Sequence, residues 1–401
     1  MYIVTAKEMQ QMDSITIKEF GIPGRVLMEN AGRDAAKILV KNFVDILYKK
    51  IGVVAGSGNN GGDGFVIARY LATKGYEVTV YLLAKPEKVK GEAKENLNLL
   101  YLLEVPVVNI PDHDSFIKHK DSMTGYDIWV DAILGTGLKS DVRDYLKQII
   151  KFINGLNKSV LAVDIPSGLN SETGQVQGAC IRADYTATFG AAKIGQKLFP
   201  GADLSGKVEV IDIGIPPYIV EKVAPLQYLI TPDYVKSEFL PRKPDAHKGN
   251  SGHLLVIAGS CGKTGAVILA AMSAMRIGAG LVTMAVPESI NSVIEAAAIE
   301  AMTWPISESK LGILGASAFD SIEELFKGKK CIAIGPGIGI DSETVKLVCK
   351  ILSKSTIPIV MDADALNCIS QNTQILKTCN ANVVLTPHPG EMARLIASNT
   401  K

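Results

Sequence analysis

Ile51-Gly52-Val53-Val54-Ala55 runs directly into Gly56-Ser57-Gly58-Asn59-Asn60-Gly61-Gly62-Asp63-Gly64, and this stretch decides the fold. A short apolar run bounded by a glycine-rich turn suits a strand buried on both faces of a sheet. The turn carries G-x-G-x-x-G at Gly56, Gly58 and Gly61. Between a strand and a helix, that spacing aims peptide N–H groups and the helix dipole at a pyrophosphate. Asp63 is the unusual member, because a carboxylate beside phosphates is repelled unless it faces a sugar hydroxyl, a peptide donor or a cation. A turn capped by its own Asn and Asp side chains is the other reading.

Upstream, Thr5 and Glu8 have capping-box spacing, and Met9, Met12, Ile15 and Ile17 roughly follow a helical period, so a helix is expected to start there. Gly21-Ile22-Pro23-Gly24 breaks it before a second helix over 25–44. Downstream, strand-like segments at 78–83, 105–110, 128–133, 160–163, 185–189 and 208–213 alternate with helix-length stretches such as 64–74, 88–103 and 143–156. This alternation predicts an α/β fold, a Rossmann-like, three-layer domain with a mainly parallel sheet. The alternation pauses at Pro216-Pro217 and Pro232, and residues 241–249 are polar and proline-rich. A domain boundary is placed near 220–225, giving domains 1–220 and 221–401. A second run of units follows at 254–257, 265–277, 281–286, 331–334, 344–353, 357–361 and 383–385.

Bulk properties agree with two domains. The chain has 401 residues, 47% of them hydrophobic, enough for two cores at roughly 100–200 residues each. A formal net charge of +1 supplies no field for a nucleic-acid backbone or an anionic membrane, so small molecules are the expected partners. The six cysteines form no CxxC pair and no metal-ligand spacing with the five histidines, as in a reducing compartment. No run approaches the roughly 18 apolar residues of a membrane span, and a cytoplasmic homo-oligomer is expected.

Two more predicted strands end in acids: Asp131, before Gly135-Thr136-Gly137-Leu138, and Asp164, before Ile165-Pro166-Ser167-Gly168-Leu169. Ligands of open α/β sheets gather at the carboxyl ends of strands, so these loops are expected to converge with the 56–64 turn. Oxygen donors from Asn60, Asp131 and Ser167, joined by backbone carbonyls, suit a hard cation. So little formal charge favours potassium over a divalent ion. Asp164 is then free to act as acid or base beside a dinucleotide ring. An ordinary dinucleotide oxidoreductase is disfavoured, since it wants an acid at the end of the next strand. Here Glu77 precedes that strand and Leu82-Leu83-Ala84 ends it. A non-catalytic dinucleotide-binding protein of the same fold remains an alternative.

Asn59-Asn60-Gly61-Gly62-Asp63-Gly64, Asp131 with Gly135-Thr136-Gly137-Leu138, and Asp164-Ile165-Pro166-Ser167-Gly168-Leu169 together resemble the YjeF-type NAD(P)H-hydrate epimerases. The resemblance covers residues 1 to about 215 and implies interconversion of the R and S forms of NAD(P)H hydrated at C6 of the nicotinamide ring. It implies that Asn59, Asn60, Gly61, Gly62 and Asp63, then Gly135, Thr136, Gly137, Leu138, Lys139, Ser140 and Asp141, and finally Asp164, bind the hydrate. It also implies that Asn60, Asp131 and Ser167 hold K+. Lys193 either completes the pocket or is a solvated lysine. Lys139-Ser140-Asp141-Val142 departs mildly from the family's usual basic or proline-containing stretch.

Residues after 245 resemble the ADP/ATP-dependent NAD(P)H-hydrate dehydratases, a ribokinase-like family. The resemblance rests on His247-Lys248-Gly249, Gly335-Pro336-Gly337-Ile338-Gly339, Asp362-Ala363-Asp364-Ala365-Leu366-Asn367 and Thr386-Pro387-His388-Pro389-Gly390-Glu391. It implies that Ala266, Gly339 and His388 contact the hydrate and Asp364 lines the cleft, with ADP and Mg2+ serving the complete domain. Gly262-Lys263-Thr264 is not the end of a Walker A loop, because Ile257 stands where its first glycine belongs. Related dehydratases continue past the 386–391 segment with a lysine-containing nucleotide loop and a glycine-rich G-D element. The expectation is therefore a truncated ribokinase-like α/β domain, an exposed apolar sheet face and no dehydratase activity.

Overall fold

The structure, a computed structural model, describes all residues except Val44, Lys139, 240–247 and Lys401. Lys139, and His247 of the His247-Lys248-Gly249 motif, thus lie outside the described residues. The chain divides into two compact units, Met1–Phe239 and Leu240–Lys401.

The first unit contains strands β1 (Tyr2–Val4), β2 (Ile51–Ala55), β3 (Val78–Leu82), β4 (Val107–Asn109), β5 (Ile128–Ala132), β6 (Ser159–Val163), β7 (Tyr185–Phe189), β8 (Ala192–Lys193), β9 (Lys207–Ile211) and β10 (Gln227–Tyr228). Its helices are α1 (Ala6–Ile15), α2 (Gly24–Asn42), α3 (Asn59–Thr73), α4 (Gly91–Leu102), α5 (His113–Met123), α6 (Asp144–Gly155), α7 (Gly201–Leu204), α8 (Pro217–Val223) and α9 (Pro232–Glu238). Seven strands form one sheet in the order β4-β3-β2-β5-β6-β7-β9, parallel throughout. Successive side chains of a strand point to opposite faces. Val53, Val80, Val130 and Leu161 accordingly join a core with Leu39 of α2, Phe65 of α3 and Leu97 of α4. Val54, Tyr81, Trp129 and Val160 join a second core with Phe116 of α5 and Ile149 and Ile153 of α6. This is the three-layer α/β architecture read from the alternation.

The direction of strand addition reverses at β2. The chain builds outward through β3 and β4, then returns to lay β5 on the other side of β2. A crevice opens where the loops after β2 and β5 diverge, at the carboxyl ends of the strands. A small separate sheet, β10-β1-β8, brings Lys193 into register with Val4. It also ties residues 227–228 to the N-terminus, so that 221–239 belongs with the first unit. Between α1 and α2 the chain makes a π-helical turn, Thr16–Phe20, that ends on Gly21 at φ 90°.

The second unit holds β11 (His253–Ile257), β12 (Leu281–Pro287), β13 (Met302–Ile306), β14 (Cys331–Ile334), β15 (Ile359–Met361) and β16 (Val383–Leu385). Its helices are α10 (Thr264–Ile277), α11 (Glu288–Ala297), α12 (Phe319–Glu324), α13 (Ser342–Lys354), α14 (Asp364–Ile369) and α15 (Pro389–Leu395). The sheet is parallel, in the order β13-β12-β11-β14-β15-β16. One face packs on α13 and α14 through Leu347, Ile351 and Leu366. The other packs on α10 and α11 through Val267, Ala271, Ile290 and Ile294. An exposed apolar sheet face was expected here. Both faces instead carry a core, and exposed apolar side chains near the β16 edge are Val384, Met392 and Ile396. Among the described residues, no helix is long and apolar enough to cross a membrane.

Candidate functional site

The crevice at the strand reversal is a cavity of about 800 Å3. Its floor comes from the loops after β2, β5 and β6, with Asn59, Asn60, Asp63, Gly135, Thr136, Gly137, Leu138, Ser140 and Asp164 among the lining residues. Met9, Gln10, Asp13 and Ile17 enter from α1 and the π turn, and Lys193 from β8. Of the described first-unit residues assigned to the site from the sequence, Gly61, Gly62, Asp131, Asp141 and Ser167 do not line the cavity.

Gly61 and Gly62 act by making room. A Cβ on Gly61 would lie 2.0 Å from the Gly56 carbonyl oxygen, and one on Gly62 would lie 2.7 Å from Met28 Cε. The Gly56 oxygen is backbone and cannot swing aside as a flexible side chain can. Gly61→Ala is therefore expected to cost about 1–3 kcal/mol through overpacking, read as a lower urea midpoint. An unchanged midpoint would show that the turn relaxes freely.

Asp131 and Ser167 form a buried clasp beneath the floor. The Asp131 carboxylate accepts from Ser167 N at 2.7 Å, Ser167 Oγ at 2.6 Å and Ile133 N at 3.2 Å. Leu134 N donates to Ser167 Oγ at 2.8 Å, which links the loops after β5 and β6. Burial pushes the Asp131 carboxyl up to about 6 despite these donors. Asn60 sits beside Gly135, with both polar side-chain atoms buried and without a hydrogen-bond partner. Such a group is a costly feature unless something absent from the chain itself satisfies it. An orphaned amide carbonyl, a hydroxyl and a buried carboxylate are all oxygen donors, a chemistry that fits a potassium ion.

Asp164 follows β6 with φ 64°, a left-handed conformation that Asp tolerates better than most residues. Its Oδ1 accepts from Lys193 Nζ, from Phe189 N at 3.1 Å and from Thr188 Oγ1 at 3.3 Å. Lys193 also donates to Thr188 Oγ1 at 2.9 Å and to the Phe189 carbonyl at 3.0 Å. Gln196 clamps the pair, donating to the Asp164 carbonyl at 2.7 Å and accepting from Lys193 N at 2.8 Å. Lys193 is fully buried, so its reading as a solvated lysine is wrong. Asp63 and Asp13 share the same field. Burial, reinforced by Asp164 and Asp13, raises the Asp63 carboxyl well above the usual carboxylate range. Burial lifts Asp13 to about 6, with Lys193 pulling it down and Asp164 pushing it up. Asp13 was not found in the sequence. Its position four residues after Met9 and four before Ile17, on a helix face that reads as core, was the available signal.

Residues 24–195 match the family model described as YjeF-related protein N-terminus, and 254–401 match the one described as NAD(P)H-hydrate dehydratase. The bifunctional NAD(P)H-hydrate repair enzyme Nnr of Moorella thermoacetica is 40% identical over 399 residues, covering 99% of this chain and 75% of that protein. The chain belongs to the bifunctional NAD(P)H-hydrate repair enzyme family. The namesake enzyme of Thermofilum pendens is 35% identical over 401 residues, covering 100% of this chain and 75% of its own. A Bacillus subtilis ADP/ATP-dependent NAD(P)H-hydrate dehydratase, co-crystallised with ATP/Mg2+, is 28% identical with a TM-score of 0.35, covering 42% of this chain and 56% of that one.

The repair-enzyme motifs of the second unit fall in two places. Gly259 N donates to the Pro336 carbonyl at 3.0 Å and Ser260 Oγ to the Gly337 carbonyl at 2.7 Å, which docks the 335–339 turn beside Ala266. Gly339 N and Lys263 Nζ both donate to Asp364 Oδ2, at 3.0 and 2.8 Å. Ala363, just before Asp364, has φ 50° and ψ −119°, a strained conformation of the kind that gathers at functional sites. Ala266, Gly339 and Asp364 are thus brought together. His388 instead caps α15 beyond β16, where Gly390 N donates to its Nδ1 at 3.0 Å. Among the described residues, no hydrogen bond joins His388 to the Asp364 group. Epimerase and dehydratase activities both belong to this family, and neither match supports the expectation of an inactive second half.

Proposed function

We propose that the cavity of the first unit interconverts the R and S hydrates of NAD(P)H. The observation that carries this reading is the Asp164–Lys193 pair, set into a cavity where burial raises two further carboxyls, Asp13 and Asp63, above the usual carboxylate range. Inversion at C6 needs a proton delivered and a proton removed around one carbon, and this cavity offers several carboxyls on different walls to do both. The amides that open α3 face the cavity beside Asn59 and suit a pyrophosphate. Asn60, Asp131 and Ser167 would hold potassium, whose charge would offset the buried Asp131 carboxylate and fix the 133–138 loop against the ring. Chromatography of pure R-NADH hydrate incubated with the 401-residue chain and potassium salts is expected to show approach to the R/S equilibrium faster than the spontaneous rate. Conversion at the spontaneous rate, with or without potassium, would remove the reading.

In the second unit, Ala266, Gly339 and His388 would contact the S hydrate, with ADP and Mg2+ as co-reactants. Supporting this are the docked 335–339 turn and the strained Ala363 beside Asp364. The assay is return of NADH absorbance from S hydrate on adding ADP and Mg2+. Turnover would show a working dehydratase half, and its absence would leave the 401-residue chain an epimerase alone.

A further inference from the structure

Two carboxyls that no motif accounts for, Asp13 and Glu92, line the cavity, and Asp13 is the one with a buried oxygen left without a partner. Asp13 comes from α1, a different wall from the start of α3, which carries Asp63, and the loop after β6, which carries Asp164. Its Oδ1 is buried without a hydrogen-bond partner, as are both polar atoms of Asn60, which is 9% exposed and lines the same cavity. Two such orphans facing one cavity indicate that a polar ligand completes them. The charged groups acting on Asp13 are Lys193 and Asp164, Asp63 shares the field, and Glu92 lines the same cavity from α4. One lysine cannot neutralise three carboxylates. Lys193 is bonded directly to Asp164, so Asp13 and Asp63 have no cation bonded to them and burial raises both.

We propose that Asp13 is the proton donor to the C6 hydroxyl of the hydrated nicotinamide, with Asp164 as the base on the returning water. This rests on the epimerase reading above. The Asp13 carboxyl gives its proton to the C6 oxygen, and the C6–O bond breaks with its electron pair leaving on water. The N1 lone pair closes to N1=C6. Water then adds to the other face of C6, its proton passing to Asp164 as the N1=C6 pair returns to N1. Proton exchange with solvent restores Asp13 and Asp164, and for the S isomer the two exchange roles.

The experiment uses the full chain, pure R-NADH hydrate and water enriched in oxygen-18. Wild type is expected to place one solvent oxygen at C6 for each inversion, with kcat/KM falling as pH rises through the range where Asp13 loses its proton. Asp13→Asn is expected to lower kcat by about a hundredfold or more and to lose that alkaline fall, with KM little changed. An unchanged melting temperature for the variant separates lost chemistry from lost folding. Wild-type inversion without oxygen exchange, or an Asp13→Asn chain as fast as wild type, would overturn the proposal and leave the epimerase reading standing. A wild-type chain that does not accelerate inversion would overturn both.

Discussion

Lys193→Met is expected to destabilise the first unit by about 3–5 kcal/mol, the usual cost of removing one partner of a buried ion pair. Methionine keeps most of the volume but strands the Asp164 carboxylate, along with Thr188 Oγ1 and the Phe189 carbonyl, without their shared donor. The strand that carries Lys193 is only two residues long and pairs with β1, so the damage should reach the N-terminal strand as well. Denaturation followed by a first-unit signal, such as the fluorescence of buried Trp129, should show an earlier transition for this unit. A midpoint equal to wild type would show that the buried pair contributes nothing to the stability of this unit.

Asp164→Asn is the variant with the largest expected effect on activity, a fall of about 10²–10⁴ in kcat. Asparagine keeps the side-chain shape, accepts from Lys193 through its amide oxygen and tolerates the positive φ at this position. What it cannot do is take a proton from water. Kinetics on R-NADH hydrate read this directly, and a variant that retains more than a tenth of the wild-type rate would show that Asp164 only binds.

The sequence displayed most of the fold because its central strands are buried on both faces. Ile51–Ala55 and Ile128–Ala132 read as short apolar runs, and both proved to be inner strands. β13 was not predicted because Pro305 interrupts Met302–Ile306, and a proline belongs only where one side of a strand needs no partner. It is indeed an edge strand. β8 and β10 have two residues each, too few for any period to show. The motifs pointed to the glycine turn and the strand-end acids because those residues are unusual locally. Asp13 and the burial of Lys193 were hidden for the opposite reason. Each is ordinary in its own segment and becomes functional only when α1 and β8 fold over the strand ends. The sequence likewise gave no reason to separate Asp131 and Ser167 from the cavity wall, since their mutual hydrogen bonds exist only once β5 and β6 are paired.

The central claim is that the hydrated ring lies among Asp13, Asp63, Asp164 and Lys193. A crystal structure of the Asp164→Asn chain bound to NADH hydrate tests it most directly. C6 of the ring is expected within hydrogen-bonding reach of both position 164 and Asp13, with the pyrophosphate against the amides that open α3. A hydrate whose ring lies outside this cavity, or which is bound by the second unit alone, would contradict it.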